Sequence, residues 1–228
     1  APSLEAALAA KGDEARLASV IDSAQLGQVH YVRQGEPLGL GHAVLCARAH
    51  VGDEPFAVLL GDDLIDVRDE ILPVMNAVRQ EHGGSVLCLM EVPQESVHMY
   101  GCAAVEPTSA DGVVRVTDLV EKPPPGEEPS NLVIIGRYLL DPAVFDVLAT
   151  TKPGRGGEIQ LTDALLELAN MPAEQGGGVH AVIFRGRRYD TGDKLSYLKA
   201  NVILASDDSE LSGPFLEWLA EFVDEHRR

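Results

Sequence analysis

Residues 29–63 read VHYVRQGEPLGLGHAVLCARAHVGDEPFAVLLGDD. The apolar run Val29–Val32 predicts a strand, Gly41–Ala49 predicts a helix, and Phe56–Leu60 predicts a second strand that ends on two acids. A strand, a helix and a strand in succession form the unit of a parallel sheet covered by helices. Outward from this stretch the pattern repeats. Ser85–Glu91, Cys102–Val105, Val113–Val120, Leu132–Tyr138 and Val179–Phe184 are short apolar runs, several without polar alternation, as central strands covered on both faces require. Between and after them, Asp69–His82, Ala143–Thr150, Leu161–Ala169, Lys194–Ser206 and Pro214–His226 carry helical spacing. Ala1 opens on a pattern that also reads as helix. The expected fold class is α/β: a Rossmann-like, mostly parallel mixed sheet with helices on both faces, in one domain over 1–228. Asp111-Gly112 between two apolar runs is a hairpin signal, so an antiparallel element is expected within or beside that sheet.

Composition narrows the function. The 228 residues carry 36 Asp plus Glu against 18 Lys plus Arg, a formal charge of −18, and 45% apolar residues. This is a globular composition. A polymeric nucleic acid needs a basic surface and is excluded as a partner, whereas a small phosphorylated ligand needs only a local cationic site. No apolar run approaches the ~20 residues that span a bilayer, and no membrane partner is expected. Cys46, Cys88 and Cys102 are odd in number and include no C-x-x-C pair, so they are expected to be inert thiols in a reduced, cytoplasmic protein. In Phe215, Trp218, Leu219 and Phe222 one face of the 207–228 segment is apolar, which suits docking on the domain or a subunit interface.

In an open α/β sheet, ligands bind beyond the carboxyl ends of the strands. Five segments there carry polar or glycine residues. Arg33 to Ala43 holds Gln34 and three glycines ahead of a helix, and is either a cradle for an anion or a base, or a plain connection. Asp62 and Asp63 close an apolar strand, as oxygen ligands of a metal or as turn residues. Asp190 precedes a glycine turn and could meet Asp62 at a metal, or cap a helix. Glu121 and Lys122 end a strand before Pro123, and Glu158 to Asp163 enter a helix.

In this order the segments resemble the bacterial UDP-glucose pyrophosphorylases, or UTP–glucose-1-phosphate uridylyltransferases, among the sugar nucleotidyltransferases. The carrying segments are VRQGEPLGLGHAVLCARAHVGDEPFAVLLGDDLID (32–66), YGCAAVE (100–106), VEKPPPGEEPSNLVIIGRYLL (120–140), GRGGEIQLTDAL (154–165) and YDTGDKLSYLKANV (189–202). The resemblance runs from about Gln28 onward and implies the following roles. Gln34 and the backbone of Gly39 contact uracil. Asp62 and Asp190 hold Mg²⁺ with the nucleotide phosphates. Tyr100 and Gly101 line the sugar pocket, Glu121 bonds glucose hydroxyls with Asn131 and Glu158 as helpers, and Lys122 holds the sugar phosphate. Gly136, Arg137 and Tyr138 border the hexose, and the residues from Glu158 to Asp163 close the pocket from the other side. The implied substrates and products are UTP, glucose 1-phosphate, UDP-glucose and pyrophosphate, and the implied assembly is a homodimer or homotetramer.

One departure is large. The family begins with a strand and a G-x-G-T-R-x-x-P-x-T-K loop that cradles the triphosphate, and this sequence opens beyond it. Loss of one such charge-stabilising donor costs roughly 3 kcal/mol. The expectation is an intact enzyme whose loop lies outside the sequence given. The alternatives are a nucleotide-sugar-binding or regulatory subunit, or a sibling enzyme using another base or hexose phosphate.

Overall fold

The computed structural model describes residues 2–227. They fall into two compact units, 1–35 and 36–228, where the sequence predicts one. The first unit is a helical hairpin, α1 (Pro2–Lys11) and α2 (Glu14–Gln25), with none of its described helical residues buried. Asp13 caps α2, its carboxylate accepting from the Arg16 amide at 3.2 Å. The strand expected at Val29–Val32 does not form, and Tyr31 is 91% exposed. A lone apolar run has no ladder to join, and propensity alone does not hold a strand in water.

The second unit is an α/β layer structure. Its strands are β1 (Phe56–Leu59), β2 (Asp63–Ile65), β3 (Ser85–Glu91), β4 (Gly101–Pro107), β5 (Val113–Glu121), β6 (Leu132–Leu140), β7 (Val179–Ile183) and β8 (Arg188–Asp190). Six of them form a mixed sheet in the order β1-β6-β3-β7-β5-β4, and β2 pairs with β8 in a small antiparallel sheet of its own. The mixed sheet agrees with expectation, but among the described strands only β3–β7 is a parallel pair. The reason is interleaving. β1, β3, β7 and β4 point one way, and β6 and β5, which point the other way, are inserted between them. The β4–β5 hairpin turns at Asp111-Gly112 as expected, with Gly112 at φ +72° and the Thr108 hydroxyl accepting from the Ala110 amide and donating to the Val113 carbonyl.

β3 shows why the sheet is covered on both sides. Ser85 through Leu89 are all buried, without alternation. Leu87 and Leu89 pack with Phe145 and Leu148 of α6 (Val144–Thr150) and Leu161, Leu165 and Leu168 of α7 (Leu161–Asn170). Val86 and Cys88, facing the other way, pack with Met75 and Val78 of α5 (Leu72–His82). Full burial of each such leucine or valine contributes about 1.5–3 kcal/mol. Helix α5 starts later than the Asp69 expected, because Pro73 suits a first turn and Asp69 instead accepts from the backbone and guanidinium of Arg187. The expected helix at Gly41–Ala49 forms as α3 (Leu40–Cys46) and a single turn, α4 (Arg48–Val51). The last two helices are α8 (Lys194–Asp207) and α9 (Ser212–His226). No described residue of α9 is fully buried, but Phe215, Leu219 and Val223 are half-buried on one face, and α9 packs against α8.

Candidate functional site

A cavity of about 300 Å³ opens where the ends of β1, β4 and β5 meet the middle of β6, the start of α7 and the β2–β8 pair. Its wall gathers nearly every site residue expected from the sequence: Asp62, Tyr100, Gly101, Glu121, Lys122, Gly136, Tyr138, Glu158 and Asp190.

The acids come together because two backbones approach closely. Gly136 lies on β6 beneath the turn after β1, donating its amide to Asp63 Oδ2 at 2.7 Å, and a Cβ there would stand 2.7 Å from the Asp63 Cβ and 2.8 Å from the Leu60 Cβ. Only glycine lets the turn sit this low. The register Asp63↔Asp190 then brings β8 alongside, and the Thr191 amide donates to the Asp62 carbonyl at 2.7 Å. As a result Asp62 Oδ2 and Asp190 Oδ1 both lie within 3.3 Å of the point a Gly192 Cβ would occupy. Asp190 Oδ1 accepts from the Gly192 amide at 3.0 Å, and its Oδ2 accepts from the Tyr100 hydroxyl at 3.1 Å.

Across the cavity Glu121 ends β5. Its Oε2 accepts from the Thr162 hydroxyl at 2.7 Å, and its Oε1 is 3.7 Å from Lys122 Nζ. Lys122 sits at φ +46°, a conformation that costs a non-glycine residue roughly 1–2 kcal/mol. Its amide donates to the Tyr100 carbonyl at 3.0 Å, and its carbonyl accepts from the Arg155 guanidinium, so the strained turn is pinned on both sides. The ammonium is half exposed and faces the opening. Burial, followed by Glu121 and the two acids of the β1 turn, pushes the Tyr138 phenol far above its usual range, so it stays a neutral donor. Burial likewise raises Tyr100, against the pull of Arg188.

The expectations for Asn131, Arg137 and Asp163 need correction. Asn131 does not reach the cavity, because its amide donates to Glu91 at 2.8 Å instead. Arg137 alternates away from Gly136 and Tyr138 on β6, and its guanidinium donates to the Gly136 and Leu60 carbonyls. Of the residues from Glu158 to Asp163, Glu158, Gln160, Leu161 and Thr162 line the wall. Asp163 does not, and burial and then Glu121 raise its pKa. Gly39, at φ +106°, lets residues 38–41 lie against Ile159, which donates to the Leu38 carbonyl at 2.7 Å and accepts from the Gly41 amide at 2.9 Å. Gly39 itself is outside the cavity wall, and Gln34 belongs to the first unit.

Sequence reasoning missed Arg188, paired Asp63 with Asp62 as an equal, and gave Thr162 no role of its own within the Glu158–Asp163 stretch. Arg188 lies two residues before Asp190 and therefore on the same side of its strand, and this alternation was the one available signal. Its side chain is 10% exposed and is bound to Asp63 at 2.9 and 3.0 Å.

The wall thus carries five carboxylates (Asp62, Asp63, Glu121, Glu158, Asp190) and two cations (Lys122, Arg188). A phosphate entering it meets net repulsion unless a cation comes too. The side-chain oxygens of Asp62 accept no hydrogen bond from the described residues. A pair of hard oxygen donors with free valence suits a cation such as Mg²⁺, held by one or two carboxylates plus substrate phosphates.

The family model for nucleotidyl transferases matches residues 7–207. The chain belongs to the nucleotidyl transferase family. Members of this family generally use a divalent metal ion. Among its relatives, this nucleotidyl transferase is 42% identical to a UTP–glucose-1-phosphate uridylyltransferase of Bacillus subtilis, over 96% of this chain and 74% of that protein. It is 41% identical to a namesake from Staphylococcus haemolyticus, over 96% of this chain and 74% of that protein. A solved UTP-bound UGPase from Acinetobacter baumannii matches with a TM-score of 0.80 and 34% identity, covering 97% of this chain and 75% of that one. A UDP-glucose pyrophosphorylase complexed with UDP-glucose matches with a TM-score of 0.73 and 40% identity, covering 78% of this chain and 66% of that one. No helix among the described residues is long and apolar enough to cross a membrane.

Proposed function

We propose that this nucleotidyl transferase forms UDP-glucose and pyrophosphate from UTP and glucose 1-phosphate. The observation that carries the proposal is the single cavity that unites the Asp62–Asp190 pair, the Glu121–Thr162 pair and the Lys122 ammonium. Its identity to uridylyltransferases over nearly its whole length supports the same reading.

The chemistry asks little of a nucleophile. The phosphate of glucose 1-phosphate, with a second pKa of about 6, is already ionised, so no serine, cysteine or strong base is needed. Its oxygen attacks the α-phosphorus of UTP, and pyrophosphate leaves from the opposite side. The chain must hold two polyanions in line against a repulsion of about 1 kcal/mol per charge pair at 4 Å in water, and more in a drier site. Lys122 holds the sugar phosphate, aimed by its pinned left-handed backbone. Glu121, fixed by Thr162, accepts from glucose hydroxyls, and Tyr138 donates from the cavity floor. Gly101 keeps the wall beside Glu121 and Thr162 free of a side chain, and Gly136 lines the cavity from β6. In our reading the Gly39 backbone recognises uracil. Asp62 and Asp190 would hold Mg²⁺, which would supply positive charge to offset the phosphates. The protein acts in the cytoplasm as a homodimer or homotetramer.

The test is pyrophosphate release from UTP and glucose 1-phosphate with Mg²⁺. We expect release that Asp62→Ala and Lys122→Met each lower by about 100-fold or more. Absence of release with retained UDP-glucose binding identifies a binding subunit instead. Release with dTTP but not UTP identifies a thymidylyl enzyme.

A further inference from the structure

The two adjacent acids after β1 are held very differently. Asp62 is exposed at the cavity, whereas Asp63 is buried, with both oxygens engaged by the Arg188 Nε at 2.9 and 3.0 Å and one also by the Gly136 amide at 2.7 Å. The other arm of the same guanidinium donates to Asp190 Oδ2 at 3.3 Å, and its Cζ lies 5.4 Å from the centroid of the Tyr100 ring, whose hydroxyl donates to that same oxygen. Asp190 Oδ2 is therefore fully used within the protein. Oδ1 has one donor, the Gly192 amide, and faces the point it shares with Asp62. Although burial disfavours its charge, the Asp63 pair keeps Arg188 cationic.

We propose that Arg188 is a positioning residue: balanced by Asp63, it fixes Asp190 Oδ2 so that Oδ1 stays turned toward Asp62, and it keeps Asp63 out of the cation's ligand set. The proposal rests on the reading that Asp62 and Asp190 hold a divalent cation. It accounts for why a strongly anionic cavity holds an arginine whose Nε and Nη2 are both committed to carboxylates: the cation serves the geometry of a carboxylate.

A charge argument and a geometric argument give opposite signs here. Removing a positive charge beside Asp190 should tighten cation binding by Coulomb's law, whereas loss of its orientation should weaken it. The decisive variant is Asp63→Asn/Arg188→Gln, which removes both charges together, leaves the net charge unchanged and avoids an orphaned buried ion. Arg188→Lys is the second variant, since it keeps the charge against Asp63 but lacks the arm that reaches Asp190. Binding of Mn²⁺ to the full chain without substrates is followed by electron paramagnetic resonance, with thermal melting as the check on folding. Both variants are expected to bind Mn²⁺ about tenfold or more weakly, the usual scale for losing a partner behind a metal ligand. Their Mg²⁺ activation constant should rise in step, with kcat recovering at high Mg²⁺. Mn²⁺ affinity within twofold of the parent, or tighter, in whichever variant melts as a folded protein overturns the proposal. Asp62→Ala separates the underlying reading: if it binds Mn²⁺ like the parent, the carboxylate pair is not the cation site, whatever the Arg188 variants do.

Discussion

On the proposed function, sugar selection turns on Thr162. It donates its hydroxyl to Glu121 at 2.7 Å from the first turn of α7, and both groups stand 3.2 Å from where a Gly101 Cβ would be. A hydrogen bond to a charged acceptor contributes about 1.5–3 kcal/mol, and a site built from matched donors and acceptors loses more when one partner goes slack. Thr162→Val keeps the shape and removes the donor. The expected outcome is a roughly 10- to 100-fold fall in kcat/KM for glucose 1-phosphate, with the KM for UTP within about twofold of the parent. Steady-state kinetics with each substrate varied in turn checks it, and an equal loss for both substrates would show that Thr162 only supports α7. This residue lies within the GRGGEIQLTDAL segment, where its capping position invited a structural reading. The same holds for Asp63. Two adjacent acids look alike in sequence, and what separates them is burial, which depends on Gly136 some seventy residues away.

At the scale of elements, α5 and β7 meet through two histidines. His82, the last residue of α5, stacks on His180 of β7 with ring centroids 4.3 Å apart and planes 15° apart. His82 Nε2 and His180 Nδ1 are buried without a hydrogen-bond partner, with the Glu81 carboxylate 3.9 Å from His82 Nε2 and Arg115 opposite His180 in the ladder. Burial, followed by the charges of His82 and Arg115, holds the His180 pKa below its ordinary value. The sign follows from linkage. Below the unfolded pKa of about 6.5, the unfolded chain takes up a proton that the native state resists, so this contribution is intact above about pH 6.5 and declines as pH falls toward the lowered native value. His180→Phe keeps a stacking ring and removes the titration. Chemical denaturation at pH 7.5 and pH 5.5 should show the parent losing more stability than His180→Phe over that interval, and equal losses would mean the pair carries no proton linkage.

At the scale of the whole molecule, what could be read from the sequence was what periodicity writes. β3, β6 and α7 are long, apolar and regular, and the Asp111-Gly112 hairpin has its own turn chemistry, so all were legible. The β2–β8 pair was not, because three residues are too few to carry a period, and the Asp63–Arg188 salt bridge that reinforces its short ladder links residues 125 positions apart. Strand direction was also hidden. Alternating helices and strands suggested parallel neighbours, whereas β6 and β5 are inserted against the run of the others. Nine of the expected site residues meet in one cavity because loops at strand ends converge by topology, while Asn131 and Arg137 fall outside through local partners that no spacing announces.

The second unit also ends on apolar surface that its own fold leaves open. On α9, Leu216, Trp218 and Phe222 are 48%, 53% and 41% exposed, with Phe215, Trp218 and Phe222 forming a ladder of rings at 5.9 and 5.4 Å, and on α8 Leu195, Leu198 and Ile203 are exposed as well. Apolar side chains exposed in this number on two packed helices suit a surface that another protein covers. The proposed assembly of copies supplies such a cover: a two-fold contact buries the same face twice, so one substitution acts on both sides at once. Trp218→Ser with Phe222→Ser removes two of the ladder's three rings without touching the cavity. The expected outcome is a shift to lower mass in multi-angle light scattering, with the β-sheet signal in circular dichroism unchanged and Mn²⁺ affinity at the parent value. An unchanged mass would place the contact between copies elsewhere on the surface.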